Sequence, residues 1–407
     1  MAETQLKYKA NYYVLLLIAF VIPLSKSLAA PLIILLLITS LVNHRFGDNH
    51  KNKSSFIGIL LPALLYLIYA YSLFYTQNLP NGLFKAEVKL SLLIFPLCFF
   101  ISAMTLHKTI APTLRAFVEG CFVAVLLSFI RAALMYVYTT DIVHFYYSNL
   151  SLYAHASYFS MYLCFCIAVL YWSLIASEKP LFKSYISIGL IVAFSITVGL
   201  LASKTGIGLL ILIHLFVLIY STVQTKNYIK GGMLLIAMIV LLSFFYSQSN
   251  FVQSRFSDVI QVLNMNKKDI LTTSTTARLK AWETSAHLAT IKPMLGYGLG
   301  SVTEVLVAEY QKRNYVKLAK RELNSHNQLF QTMLAIGLPG LICLLAMLFY
   351  PYIWYYRSKE GLYYVLFSAI ILLNFTTESM LETQSGVVFY AFFNSLFFAE
   401  IIEKRLS

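Results

Sequence analysis

Apolar runs of bilayer length recur from one end of the chain to the other. About 20 apolar residues cross a membrane as a helix, and such runs account for most of the 407 residues. Charged residues make up only 12% of the chain, about half of the share found in a soluble domain. This pattern excludes a water-soluble enzyme, a secreted disulfide scaffold and a disordered basic tail. It predicts an all-α integral membrane protein.

The runs predict about twelve transmembrane helices and one large external loop. The predicted spans are residues 11–25, 28–42, 56–75, 88–104, 113–138, 153–176, 184–201, 206–223, 230–248, 326–349, 361–377 and 385–402. The chain then divides into 1–248 with helices one to nine, a polar and partly helical loop at 249–325, and 326–407 with the last three helices.

The positions of Lys and Arg predict the orientation, because positive residues of short loops stay in the cytoplasm. With the N-terminus inside, most Lys and Arg residues of the short loops lie on the inner side. Only four lie in short outer segments: Lys26, Lys85, Lys89 and Lys204. Both termini are therefore predicted to be cytoplasmic, and residues 1–10 are predicted to be a cytoplasmic leader and not a cleaved signal. The net charge of +14 reflects this topology and needs no nucleic acid partner.

The predicted external loop is basic and begins with a helix. Thr275 or Thr276 is expected to cap this helix, which ends before Pro293. Arg278 and Trp282 are four residues apart and share one of its faces. A glycine-rich segment, Gly296-Tyr-Gly298-Leu-Gly300, follows. It is interpreted as a turn between helices, because no strand precedes it as a dinucleotide-binding motif requires.

His326 lies at the predicted external start of the tenth helix, with Asn324 or Ser325 as the expected N-cap. A helix N-terminus disfavours an imidazolium, so a neutral His326 is expected, and a neutral imidazole can act as a general base. The alternative is an ordinary polar residue at the membrane boundary.

Other polar residues near the external side are open to two interpretations. Lys204, in a tight turn, is by itself an ordinary surface lysine, and Glu378 and Glu382 either face one cleft or form a solvated turn. The five cysteines fall inside apolar runs and the acids are scattered. Neither a metal site nor a cofactor is therefore predicted.

Four motifs together resemble a known family. They are Arg278-x-x-x-Trp282, Pro293-Met-Leu-Gly296-Tyr-Gly298-Leu-Gly300, Ser325-His326-Asn327-Gln-Leu329 and Gly337-Leu-Pro-Gly340. This pattern is similar to the signature region of the O-antigen ligase and O-antigen polymerase superfamily of bacterial envelope glycosyltransferases. The predicted layout of twelve helices with one large loop extends the resemblance over the whole chain.

The resemblance implies a reaction and a set of site residues. Such enzymes take a glycan from undecaprenyl diphosphate at the periplasmic face of the inner membrane. Ligases place it on the lipid A–core, and polymerases place it on another repeat unit. By motif, Arg278 corresponds to the arginine that binds the diphosphate and His326 to the histidine that activates the acceptor hydroxyl. A second family arginine corresponds to Lys204, a departure that gives less geometric control of phosphate.

Within this interpretation, Trp282, Asn327 and Glu378 are possible supporting residues. The expected reaction inverts the anomeric carbon and is independent of metal and cofactor. A ligase is favoured by the Arg–His pattern and the number of spans, and a polymerase or a protein O-oligosaccharyltransferase remains an alternative. A transporter or flippase is a different class. Transporters usually have two similar halves. Here the halves differ, because the single long loop falls between helices nine and ten and not at the centre of the chain.

Overall fold

A computed structural model describes residues 2–42, 53–101, 109–176, 179–227, 274–355 and 361–406, together with a few positions between 229 and 253. Within these ranges the regular structure is helical and contains no strand. The all-α prediction is therefore confirmed for the described residues.

The helices are numbered in chain order. They are α1 Ala2–Val21, α2 Lys26–Val42, α3 Lys53–Tyr71, α4 Leu79–Lys89, α5 Ser91–Ile101, α6 Ile110–Thr139, α7 Tyr147–Leu150, α8 Ala156–Ala176, α9 Ser184–Leu201, α10 Lys204–Thr225, α11 Ser274–Ile291, α12 Val302–Lys312, α13 Val316–Lys320, α14 Gln328–Tyr355, α15 Gly361–Thr377 and α16 Gln384–Leu406. Short 3-10 turns occupy Ser72–Phe74, Ile142–Phe145 and Met380–Glu382.

Two compact units divide the chain. The first combines Met1–Gly120 with Ala277–Ser407. In it α14 packs against α3 and α15, while α16 packs against α5. Aromatic rings fill its core, and Phe117 meets Phe393 edge-to-face with 4.9 Å between ring centroids. Such edge-to-face pairs stabilise a core beyond the area that they bury.

The second unit, Cys121–Thr276, is built on α8, which packs against α9 and α10. Residues 161–170 in the middle of α8 are all buried. The turn from α9 to α10 is tight because Ala202 is left-handed (φ 45°) and the Ser203 hydroxyl accepts a hydrogen bond from the Gly206 N–H. A Cβ at Gly206 would overlap the Ser160 side chain, so glycine lets α10 start against α8.

Five of the described helices are long and apolar enough to cross a membrane: 110–139, 156–175, 184–201, 204–225 and 328–350. Shorter apolar helices lie at 10–21, 26–42, 60–74 and 361–377. These helices are typical of an integral membrane protein and coincide with predicted spans. The predicted span at 230–248 and the loop before residue 274 lie outside the described residues except for a few positions. The number twelve stays a prediction.

Three features differ most clearly from the prediction. The first helix already begins at Ala2, so the predicted leader is helical. The fourth span, predicted from residue 88, is preceded by a separate helix: α4 ends at Lys89 and α5 begins at Ser91. The tenth span, predicted as continuous, is broken, because Ile336 (φ −137°, ψ 16°) and Gly337 (φ 64°, ψ −159°) are not helical.

Candidate active site

One carboxylate, that of Glu378, joins the two strongest candidate residues. Nη2 of Arg278 donates to Oε1 of Glu378 at 2.5 Å, and Nδ1 of His326 lies 3.2 Å from Oε2 of the same side chain. Arg278 comes from α11, His326 from the turn before α14, and Glu378 from the residue after α15. The fold therefore brings together residues that are far apart in the sequence.

The contact with Glu378 determines how the imidazole of His326 can act. A carboxylate only accepts hydrogen bonds, so Nδ1 carries the proton in this arrangement. When the ring carries only that proton, its lone pair is on Nε2, as a general base requires. Glu378 also compensates positive charge that forms on the ring when Nε2 takes up a proton.

The backbone of His326 is held in a left-handed conformation, with φ 45°. Left-handed backbone is uncommon for residues other than glycine and is maintained by surrounding contacts. Two such contacts flank the residue: its N–H donates to Oδ1 of Asn324 at 2.9 Å, and its carbonyl accepts from Nε1 of Trp282 at 3.2 Å. Trp282 therefore positions His326 through the backbone.

Asn327, and not Asn324 or Ser325, caps α14. Its Oδ1 accepts from the backbone N–H groups of Leu329 and Phe330 at 2.9 and 3.2 Å. The predicted caps were wrong because the turn continues to Asn327: Asn324 instead accepts from the His326 N–H. Ser325 is buried and donates its hydroxyl to Gln331.

Asn327 also fixes the segment that carries Glu378. Its Nδ2 donates to the Thr376 carbonyl at 3.1 Å, and its N–H donates to the Ser379 hydroxyl at 3.3 Å. Glu378 itself follows the C-terminal end of α15, where the helix dipole disfavours an anion. The ion pair with Arg278 offsets that cost.

Lys204 belongs to the second unit and is the first residue of α10. Its Nζ donates to the hydroxyls of Ser274 and Thr275, at 3.2 and 2.7 Å. Both hydroxyls lie in the first turn of α11, which begins at Ser274, so neither Thr275 nor Thr276 is the N-cap that the sequence predicted. The first turn of α11 therefore holds the lysine charge within the second unit.

A second charged cluster joins residues that the sequence did not connect: Lys85 and Lys89 had indicated only the orientation, and Glu382 was considered only with Glu378. Lys89 is completely buried, and its Nζ lies 2.7 Å from Oε1 of Glu382 and donates to the Leu381 carbonyl. Lys85 approaches the other oxygen of Glu382 at 3.5 Å. Burial alone would raise the pKa of Glu382, but the charges and hydrogen bonds of the two lysines outweigh it and hold that pKa below its ordinary value.

Glu378 and Glu382 do not form a solvated turn, because both side chains are largely buried and each pairs with its own cation. The signal for Lys89 was visible as a charge beside an apolar run, where a charge is costly without a partner. Its partner lies 293 residues away, and the sequence does not indicate such a pairing.

In the described part of the chain, no three His, Cys, Asp or Glu side chains form a group that could hold a metal ion. All five cysteines are buried, as their positions in apolar runs predicted. That the reaction needs neither metal nor cofactor stays a prediction.

Comparison with known proteins identifies the region that contains most of these residues. Residues 188–345 match a family model described as O-Antigen ligase. This stretch, called the O-antigen ligase segment below, is similar to that family. The chain is also 23% identical over 228 residues to an uncharacterized protein of Haemophilus influenzae. That match covers 52% of the chain and 56% of the relative, so the chain spans little more than half of the relative's length.

The O-antigen ligase segment confirms the resemblance that the four motifs predicted. It contains Lys204, Arg278, Trp282, His326 and Asn327, whereas Glu378 lies beyond its end. The carboxylate that bridges Arg278 and His326 therefore comes from outside the matched segment.

Proposed function

We propose that this chain is a membrane glycosyltransferase of the O-antigen ligase type. It transfers O-antigen or a similar glycan from undecaprenyl diphosphate to the lipid A–core oligosaccharide, at the periplasmic side of the bacterial inner membrane. The observation that carries the proposal is the Arg278–Glu378–His326 arrangement, two of whose residues lie in the O-antigen ligase segment.

His326 is the general base. Its Nε2 accepts the proton of the acceptor hydroxyl while the acceptor oxygen bonds to the anomeric carbon of the donor. The bond from that carbon to the diphosphate oxygen breaks, and undecaprenyl diphosphate leaves with the electron pair. Direct displacement inverts the anomeric carbon. Glu378 keeps the proton on Nδ1 and compensates the imidazolium.

Arg278 and Lys204 bind the donor diphosphate. The guanidinium has five N–H donors, and the contact with Glu378 uses Nη2. The other donors can form paired hydrogen bonds to phosphate oxygens and stabilise the charge that develops on the leaving group. Lys204 adds a compact positive charge with less control of geometry.

The test is single-turnover transfer by the purified protein in nanodiscs, with carrier-linked glycan and lipid A–core as substrates. We expect H326A and R278A to lower the rate about 100- to 10,000-fold, the contribution of a positioned acid–base group or charge donor. His287 and Arg313 are matched controls, because both contact Glu309 away from the candidate site. H287A and R313A should keep most activity, and full transfer by H326A and R278A would refute the site assignment.

Independence from metal is tested in the same assay with excess chelator. Transfer should continue, since the charges of Arg278 and Lys204 replace a metal ion at the diphosphate. Loss of turnover that magnesium restores would contradict this part of the proposal.

A deletion strain distinguishes a ligase from a polymerase. Without a ligase, lipid A–core stays bare while carrier-linked polymer accumulates. Without a polymerase, the core receives a single repeat unit. Modified protein in place of modified core would identify a protein O-oligosaccharyltransferase, and unflipped donor on the cytoplasmic side would identify a transporter.

A further inference from the structure

The break in α14 is filled by backbone from the glycine-rich segment of the loop. The N–H groups of Tyr297 and Gly298 donate to the carbonyls of Leu334 and Ala335, at 2.7 and 3.0 Å, and the N–H of Leu338 donates to the Pro293 carbonyl at 2.8 Å. These hydrogen bonds satisfy groups that the broken helix leaves without an intrahelical partner.

Two glycines make this close approach possible. Gly337 is left-handed, and a Cβ there would overlap the carbonyl of Met294. Gly296 is also left-handed, and a Cβ there would overlap the backbone of residues 334–336. The two chain segments are therefore in direct backbone contact and occupy the same level along α14.

Counting residues along α14, in the orientation that the sequence predicts, assigns that level to the outer edge of the membrane hydrocarbon. A hydrocarbon layer of about 30 Å takes about 20 helical residues. In the predicted orientation, the sequence at the inner end of α14 is rich in aromatic residues at 350–355 and continues to Arg357 and Lys359, a pattern typical of a membrane interface. Roughly 20 residues counted back from this belt reach positions 331–336. Gly337, and with it the turn at 293–295, is at or below this edge.

The exposed surface of the turn is apolar, as contact with membrane hydrocarbon requires. Three apolar side chains of the turn are exposed, namely Ile291, Met294 and Leu295. Leu338, whose N–H is hydrogen-bonded to this turn, is exposed too. Leu338 and Ile342 are four residues apart on α14, so the exposed apolar side of this helix continues into the turn. Broken backbone at membrane depth is tolerated where protein covers it, and here the turn provides that cover.

Lys292, the one charged residue at the tip, is compatible with this position. Its Nζ lies 5.0 Å from the centre of the Tyr297 ring. A long lysine side chain can follow an aromatic surface while its charge points towards the aqueous side.

We propose that the turn Ile291–Leu295 inserts into the outer edge of the bilayer hydrocarbon and anchors the C-terminal end of α11. The partner is the lipid bilayer, through the acyl chains of its outer leaflet. Part of the segment that the sequence assigns to a periplasmic loop is thus a membrane contact, which ties the helix of Arg278 to the membrane surface. The inference does not depend on the proposed reaction.

The test is depth-dependent fluorescence quenching in vesicles of phosphatidylcholine and phosphatidylglycerol. The variant M294C carries an environment-sensitive nitrobenzoxadiazole label, while the native cysteines are buried. I342C on the lipid-facing side of α14 is the positive control, and V316C on α13 is the negative control. The exposed fractions of the three native residues are close, at 61%, 58% and 55%.

We expect phosphatidylcholine with a doxyl group at carbon 5 to quench the label at 294 as strongly as that at 342 and at least threefold more than that at 316. Aqueous iodide should show the reverse order. A label at 294 that behaves like the label at 316 overturns the proposal, including the case in which another protein or a second copy covers the turn. If M294C does not fold, L295C is judged by the same criterion.

Discussion

Replacing Glu378 by glutamine (E378Q) keeps the shape of the side chain but replaces one acceptor oxygen by an N–H donor and removes the negative charge. The carboxylate accepts from Arg278 with one oxygen and from His326 with the other. Glutamine has the same shape but a single acceptor oxygen, so it cannot serve both donors. If that oxygen keeps Arg278, the glutamine N–H group faces Nδ1. The imidazole must then place its proton on Nε2 and cannot act as the base.

The expected effect is a decrease in kcat of about 100- to 10,000-fold, because general base catalysis contributes that much. The expected decrease in the free energy of unfolding is modest. Hydrogen bonds to charged groups contribute about 1.5–3 kcal/mol, and the lower end applies because the Arg278 side chain is 26% exposed.

The pair Arg313–Glu309 offers a closely matched control. Its side chains are 24% and 11% exposed, against 26% and 11% for Arg278 and Glu378. E309Q should therefore lower the thermal midpoint in nanodiscs about as much as E378Q and leave kcat within about threefold of the wild-type value. If E378Q also keeps kcat within threefold, Glu378 does not control the protonation of His326 and the reasoning is refuted.

Three further predictions follow from other contacts. G337A should destabilise the protein by about 2–5 kcal/mol in thermal unfolding, because left-handed backbone and overlap with Met294 both disfavour alanine; G208A, with open space around its Cβ, should be nearly neutral. K204A should raise the KM for the lipid-linked donor about tenfold, equivalent to the loss of about 1.4 kcal/mol, whereas K204R should keep it near the wild-type value. In urea unfolding across pH, the free energy of unfolding of the wild-type protein should exceed that of E382Q by a constant amount above about pH 4.5. The difference should disappear as the pH falls further. The reason is that the pKa of Glu382 is lowered in the folded protein, so the unfolded state takes up the proton first.

The sequence identified the individual functional groups of the site better than their connections. His326 and Arg278 were predicted from motifs, and they do converge. Their link, Glu378, was named only as a possible supporting residue, since nothing local indicates which cation a carboxylate will meet. Asn324 or Ser325 was predicted as the cap, because both residue types are good N-caps and both lie just before the apolar run. Asn327 is held in the capping position by hydrogen bonds to Thr376 and Ser379, and both of these residues belong to a distant segment of the chain.

The helices were predictable for a related reason. Apolar runs determine which stretches span the membrane, so most boundaries agree to within a few residues. The break at Gly337 was not predicted, because its hydrogen bonds are supplied by the loop at 293–298. The glycines of both segments are visible in the sequence. Only the backbone contact between the two segments explains why glycine is needed at these positions. Lys89 is similar, since its burial depends on Glu382.

The geometry of the candidate base depends on the segment after α15 as much as on the O-antigen ligase segment. Asn327, next to His326, binds Ser379, next to Glu378. One residue further, Gln328 accepts from the N–H of Leu381 at 2.7 Å. The start of α14 and the segment 378–381 are therefore hydrogen-bonded in parallel, which holds the imidazole against the carboxylate. A chain that ended at residue 345 would retain Arg278 and His326 but lose the group that keeps the proton on Nδ1. The proposed chemistry therefore needs Glu378 and the segment that carries it, in addition to the matched segment.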